Sequence, residues 1–436
     1  MIIQRLIILL CLNVIFYART IKYRYVSDDI GNYKNPPKTK NQWHKGWLWF
    51  IGLYKIHPRY DHILTLAIHA INTCLIYIAF GANDISFLAA LLFMFNPATN
   101  EGSVWIAGRG YTLTLMSFLF VLTIPWLAPI FLFGTIWFGI GLFNPLILLA
   151  TKFWYLLAIM PLLWWQQFRR QKEIYMQKRT IEAVDEDKVI HFRKFVLAIK
   201  SYGFYFALAL IPFKISFYHS YLQSCSGNEM MQKRAYDMRD KFFWIGIGGL
   251  IITTLSFRSP YFLGFFWFFI SIAPFCNLMR INQEITERFL YFSCVGLMYN
   301  LAQLSIDYPI VIAIFLTMYI VKMWFSMRMF RDDYYILEHS IVEDSQSWYA
   351  WHMRALKRWD TQSYKEALIM WVMARLVSPK EFKLNMNIAM MLFLLHKKEE
   401  AEAFLKIAEQ NIIPGQEERA IQTIADTRNG TYGVIS

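Results

Sequence analysis

Long apolar runs alternate with short polar breaks from the N-terminus to about residue 327. Runs at roughly 2–18, 61–80, 84–96, 111–126, 128–143, 145–165, 195–218, 242–257, 260–276, 289–306 and 308–327 approach the length a helix needs to cross about 30 Å of hydrocarbon. The pattern therefore predicts about eleven spans. Only PWLAP, FNP and ATKF interrupt the hydrophobicity between 111 and 165, so the spans there are poorly separated. In NQWHKGWLWFIGLYKI, residues 41–56, tryptophans and lysines mix at a density that suits a helix lying in the membrane interface. Such a helix is either a belt anchor or an element that shapes a substrate site.

From residue 345 the pattern turns to charged sequence with helical periodicity, and it repeats. Ala367 and Ala374 recur as Ala401 and Ala408, and Trp371 is matched by Leu405, a period of 34 residues. Trp351, Tyr364 and Pro379 also stand where a tetratricopeptide repeat (TPR) carries such residues. Small alanines let the two helices of a hairpin approach closely, and the proline ends the second helix. A second hairpin is predicted over 382–410, with QEERAIQTIADTRNG as a partial cap; a generic helical hairpin is the plainer alternative. The expected organisation is a multi-pass domain over 1–330, a linker at 331–344 and repeats over 345–436.

Composition agrees with the pattern. The chain is 56% hydrophobic and 17% charged, against roughly 45–50% and about 25% for a soluble domain. Its formal charge of +13 sits mainly beside apolar spans, which argues for the positive-inside rule and against nucleic acid. The strongest basic stretch, QQFRRQKEIYMQKR at 166–179, is expected in a cytoplasmic loop over 166–194. Counting spans from it puts the N-terminus in the cytoplasm, with a retained first span. It puts SDD at 27–29, NEGSVWIAGR at 100–109, residues 221–241 and 282–288, and the tail on the outer face. Five cysteines without CxxC spacing, Cys11, Cys74, Cys225, Cys276 and Cys294, suggest neither a disulfide framework nor a zinc site. His62 and His69, seven residues apart on one helix face, are too far apart to share a metal and receive no catalytic role.

Ionisable groups at a bilayer face are costly unless paired or hydrated, so a cluster of them is a candidate site. The expected outer face gathers Asp28 and Asp29, Glu101 and Arg109, Lys152, and Glu287 and Arg288. A carboxylate suits a general base, whereas Arg and Lys suit a phosphate. For any one of them alone, an interfacial salt bridge is an equally good account.

Four blocks resemble one family. VSDDIGNYKNP (26–36), HILTLAIHAINTCLIY (62–77), LFMFNPATNEGSVWIAGRGYTLTLMSFLF (92–120) and APFCNLMRINQEITERFLYFSCVGL (273–297) are similar, in order, to motifs of the transmembrane and tetratricopeptide-repeat O-mannosyltransferases and related bacterial membrane proteins. The third block carries Pro97, Glu101, Trp105, Gly108 and Arg109; the fourth carries Pro274, Asn277, Glu287, Arg288, Tyr291 and Gly296. The chain departs from the family pattern at Asn96 (usually His), Tyr111 (usually an acid) and Phe153 (usually Glu after the lysine). These departures bear on donor choice or on activity itself.

The resemblance implies an all-α fold: a polytopic helix bundle of GT-C type followed by a short TPR domain. It implies transfer of mannose or another hexose from a polyprenyl phosphate to a protein hydroxyl on the extracytoplasmic side, with inversion. The base would be Asp28, oriented by Asp29. Arg109, Lys152 and Arg288 would bind the donor phosphate, supported by Glu101, Glu287 and Tyr291. No cofactor or metal is expected beyond the lipid-linked donor. The partners are a membrane lipid donor and a protein or peptide acceptor held by the repeats, with no nucleic acid. The expected location is a bacterial inner membrane, or the endoplasmic reticulum in a eukaryote. A glycan polymerase or ligase, and an inactive membrane-anchored TPR scaffold, are the alternatives.

Overall fold

The computed structural model describes residues 1–30, 57–137, 144–161, 189–222, 228–277, 285–412 and 417–430. The interfacial helix expected over 41–56, most of the 166–194 loop, residues 282–284 and Cys225 lie outside the described residues. Every regular element among those described is helical, with no strand. Four stretches are long and apolar enough to cross a membrane: Ile2–Lys22, Pro58–Ala79, Ile106–Thr123 and Pro309–Arg331.

Several other expected spans fold as shorter pieces, and proline is one reason. Pro97, Pro125 and Pro274 each open a 3-10 turn, at Pro97–Thr99, Pro125–Leu127 and Ala273–Phe275. Without an N–H, proline cannot continue the preceding helix. The described part of 145–165 consists of two 3-10 segments, Asn144–Ala150 and Trp154–Ile159, interrupted at 151–153.

The chain divides into two compact units. The first comprises Met1–Arg169, Ala198–Ile215 and Arg239–Ile336. Its helices are α1 (Ile2–Tyr17), α2 (Pro58–Ala79), α3 (Asp84–Phe95), α4 (Asn100–Val104), α5 (Arg109–Thr123) and α6 (Ala128–Trp137). The C-terminal part of α7 (Val189–Leu210) follows, then α9 (Lys241–Leu255), α10 (Phe262–Ile272), α11 (Leu290–Gln303) and α12 (Pro309–Ser326). The Tyr17 hydroxyl ties α1 to α3 by donating to the Met94 carbonyl at 2.6 Å. Helices α10 and α11 cross at Gly264 and Gly296, where a Cβ on either would lie within 2.4 Å of the other's backbone oxygen. Small residues permit this approach, as is usual between membrane helices. The Trp267 indole, beside that crossing, donates to the Phe292 carbonyl at 3.0 Å.

The second unit comprises Arg170–Leu197, Ser216–Met238 and Leu337–Ser436. It holds α8 (Glu229–Ala235), most of α13 (Asp333–Glu343), and α14 (Trp348–Asp360), α15 (Tyr364–Val377), α16 (Phe382–Leu394), α17 (Lys398–Gln410) and α18 (Glu417–Arg428). The stretch expected as a linker is thus largely helix α13. Helices α14/α15 and α16/α17 form two successive hairpins whose starts are 34 residues apart. Each first helix closes alike: Gln362 and His396 take left-handed φ values of 60° and 61°. Ser363 N–H then bonds the Arg358 carbonyl and Lys397 N–H the Leu392 carbonyl, both at 2.9 Å, the pattern of a left-handed helix C-terminus. Ala367, Trp371 and Ala374, and their counterparts Ala401, Leu405 and Ala408, are all fully buried.

Two further segments join these hairpins. Ser220 donates from its N–H and its hydroxyl to Asp344, each at 2.6 Å, and the Asn228 amide donates to the Val377 carbonyl at 2.6 Å. Arg193 lies over the Tyr236 ring at 5.4 Å. The sequence pattern expects Arg193 at the end of a cytoplasmic loop and Tyr236 on the outer face. Groups separated by about 30 Å of hydrocarbon cannot touch in this way. Helix α7, which connects the two segments, is not among the four stretches long and apolar enough to cross a membrane.

Candidate functional site

The first unit brings segments far apart in sequence into one polar cluster. After α1 the chain turns at Ser27, whose φ is 53° and whose N–H donates to Asp333 at 2.7 Å. The two acids that follow part company: Asp28 is exposed and Asp29 is fully buried. Asp29 accepts from the Ala107 N–H at 2.8 Å and from the Val26 N–H at 3.4 Å. Burial pushes its carboxyl pKa well above the usual range, against the pull of those two N–H groups and of Arg109. Asp29 therefore fastens the turn to the start of α5, and Asp28 is the carboxylate open to solvent.

Arg109 is buried at the first residue of α5 and faces α2. Its Nη2 donates to the Asp61 carboxylate at 3.2 Å and to the Asp61 carbonyl at 2.7 Å. Its Nε reaches the Thr65 hydroxyl at 3.1 Å. The Tyr25 hydroxyl donates to the second Asp61 oxygen at 2.7 Å. Asp61 escaped notice in the sequence, although an acid within an apolar span is itself a signal.

Arg288 forms the second pairing. Its Nη1 donates to Glu101 Oε1 at 2.6 Å and its backbone N–H to Oε2 at 2.9 Å. Burial acts to lower its pKa, but Glu101 and Tyr111 together more than offset that and raise it. The guanidinium lies 5.3 Å from the Trp105 ring centre, within cation–π range. The Trp105 indole donates to the Val26 carbonyl at 3.4 Å. Val26, Trp105, Arg288 and Glu101 thus link three of the four motif blocks. Tyr111, standing where the family carries an acid, bonds Arg288.

Tyr291 is fully buried. Its hydroxyl lies 2.7 Å from His69 Nδ1 and accepts from the Asn72 amide at 3.2 Å. Asn72 also donates to the Thr112 carbonyl at 2.9 Å. A Cβ on Gly102 would stand 2.5 Å from the Tyr291 ring, so only glycine lets α4 lie against it. His69 is thus the residue that holds Tyr291. Glu287 is buried in the same region. Asn96 caps the turn that follows it by accepting from the Ala98 N–H at 2.9 Å, and donates to the Ala209 carbonyl at 2.8 Å.

Lys152 is exposed, with its ammonium 5.3 Å from the Phe153 ring centre. No three His, Cys, Asp or Glu side chains among the described residues gather as metal ligands.

Compared with known protein families, curated proteins and solved structures, the chain matches none. What stands is a helical protein with, among the described residues, four helices long and apolar enough to cross a membrane and a buried polar cluster at the ends of three of them.

Proposed function

We propose that this chain is an integral-membrane glycosyltransferase of GT-C type. It moves mannose or another hexose from a polyprenyl phosphate to a protein hydroxyl on the extracytoplasmic side, with inversion. The observation that carries the reading is the link from the Val26 carbonyl through Trp105 to Arg288 and Glu101. It joins three of the four motif blocks on which the resemblance depends, beside an exposed carboxylate.

In this reading Asp28 takes the proton of the acceptor hydroxyl as its oxygen bonds to the anomeric carbon. The bond from that carbon to the phosphate oxygen breaks in the same step, and the phosphate leaves with the electron pair. Arg288 meets the departing phosphate, since a guanidinium can serve a phosphate and a carboxylate through different N–H groups. Asp29 positions the turn that carries Asp28. Arg109, held by Asp61 and Thr65, adds positive potential behind the site, and Lys152 adds charge from the solvent side. The hairpins of the second unit act as tetratricopeptide repeats that hold a polypeptide acceptor.

Asp28→Asn tests the assignment. Transfer from a labelled polyprenyl phosphate sugar is expected to fall by about 10²–10⁴-fold, while membrane insertion and lipid-phosphate binding persist. Unchanged turnover removes Asp28 as the base. Arg288→Ala is expected to weaken donor binding in a lipid-phosphate titration.

One observation favours a second reading. Both arginines of the cluster already carry a carboxylate partner, as in a membrane anchor that presents helical repeats without catalysis. Absence of transfer to protein, glycan and lipid acceptors by the unaltered chain would select that scaffold. Transfer to glycan alone would select a polymerase or ligase.

A further inference from the structure

The two hairpins of the second unit occupy equivalent places in their repeats, yet their outer faces differ. On α15, Ile369, Val372, Met373 and Leu376 are all exposed, with Ile369 at 62% and Leu376 at 67%. Their spacing of i, i+3, i+4 and i+7 makes one stripe along the helix. The positions 34 residues later, on α17, are Ala403, Lys406, Ile407 and Gln410, and all but Ile407 are exposed. The repeat fold is therefore built equally well with a polar outer face, and the stripe on α15 is not a requirement of packing.

Charge separates the hairpins in the same sense. Over 348–380 six basic residues, Arg354, Lys357, Arg358, Lys365, Arg375 and Lys380, stand against Asp360 and Glu366; Arg354 pairs with Glu338, Arg358 with Glu366 and Lys380 with Glu229. Over 382–410 Lys383, Lys397, Lys398 and Lys406 are balanced by Glu399, Glu400, Glu402 and Glu409. The apolar stripe thus belongs to the basic hairpin alone. That hairpin is also the one nearer to lipid along the chain, since fewer than twenty residues separate Trp348 from Arg331 at the end of a candidate span.

We propose that α15 docks the first hairpin onto an anionic bilayer surface, with Ile369, Val372, Met373 and Leu376 entering the headgroup–acyl boundary. An apolar stripe on a basic element is the signature of a helix that lies in the interface, and the basic residues add attraction to anionic lipid. A polypeptide acceptor would then be met at a fixed height above the membrane by the second hairpin. The docking itself does not depend on sugar transfer.

The test uses the full chain, with its own cysteines replaced by alanine, in vesicles of phosphatidylcholine containing phosphatidylglycerol. A bimane probe is attached at Met373→Cys or Leu376→Cys, with Lys406→Cys as the equivalent position on the second hairpin. Doxyl-labelled lipid is expected to quench the probe at 373 and 376 several-fold more than at 406. That difference should shrink in vesicles of phosphatidylcholine alone or at high salt. Equal quenching of all three probes by aqueous iodide, with none by doxyl lipid, overturns the proposal. Lipid-independent shielding that grows with protein density, accompanied by energy transfer between chains, also overturns it and assigns the stripe to a second copy. Shielding from both quenchers that is independent of density and lipid overturns it in favour of an intramolecular or protein contact.

Discussion

The membrane bundle and the C-terminal hairpins bury different things. In the first unit Asp29, Asp61, Glu101, Glu287 and Arg109 are all almost wholly out of solvent. In α14–α17 no carboxylate is buried, and the centre is filled by Ala355, Ala367, Trp371, Leu384 and Ile388. Burying a charge costs several kcal/mol after relaxation, whereas burying an alkyl or aromatic side chain stabilises by about 1.5–3 kcal/mol. The hairpins are thus held by area and shape, while the bundle depends on each charge keeping its partner. A cluster of costly buried groups is a candidate site, which is why the proposed chemistry is placed in the bundle and the proposed acceptor binding in the hairpins.

Removing one partner of a buried pair should give the largest effect on stability. Asp61→Ala leaves the Arg109 guanidinium without its carboxylate and is expected to cost about 3–5 kcal/mol. The double variant with Arg109→Leu should recover most of that loss, as read by denaturant titration in detergent. A mild single variant, with no recovery in the double, would erase the contrast between the two regions. Leu405→Ala acts by cavity formation, at about 2–5 kcal/mol. It should lower the melting temperature of the hairpins without touching sugar transfer chemistry, and Asp61→Ala should disturb both.

The smallest effect is one of pH, and it sits in the hairpins. Burial pushes Glu381, just before α16, up to about 7, against the pull of Lys383. A carboxyl whose folded value is raised binds its proton more tightly in the native state. The stabilisation is full below its ordinary value near 4.5 and is lost as pH rises through about 7. Glu381→Gln should flatten the fall in melting temperature between pH 5 and 8. An unaltered slope in that variant would place the titration elsewhere.

Much of the hairpin region is readable from residue pattern alone. Alanines at a fixed period with a bulky residue between them predict close helix pairs, and Ala367, Trp371, Ala374, Ala401, Leu405 and Ala408 are all fully buried. The bundle is less readable. Apolar runs announce membrane helices, but turns at Pro97, Pro125 and Pro274 mark where such runs end or break. Hydropathy averages over such breaks, so run length alone does not give the number of crossings. The cluster is legible in its members and not in its pairings. Arg109 was matched with phosphate, and its carboxylate partner Asp61 went unremarked. Adjacent Asp28 and Asp29 read as one feature, yet one is exposed and the other holds two backbone N–H groups.

Sequence alone determined the helical class, the presence of helices long and apolar enough to cross a membrane and the period of the tail, because each follows from local spacing of apolar and small residues. Tertiary structure decided which charges meet. Hydropathy places the starts of α2, α5 and α11 only to within about three residues, and half a turn, about two residues, rotates a side chain from lipid to the bundle interior. The pairing of Arg109 with Asp61 and of Arg288 with Glu101 is a property of that rotation and of the crossings that set it.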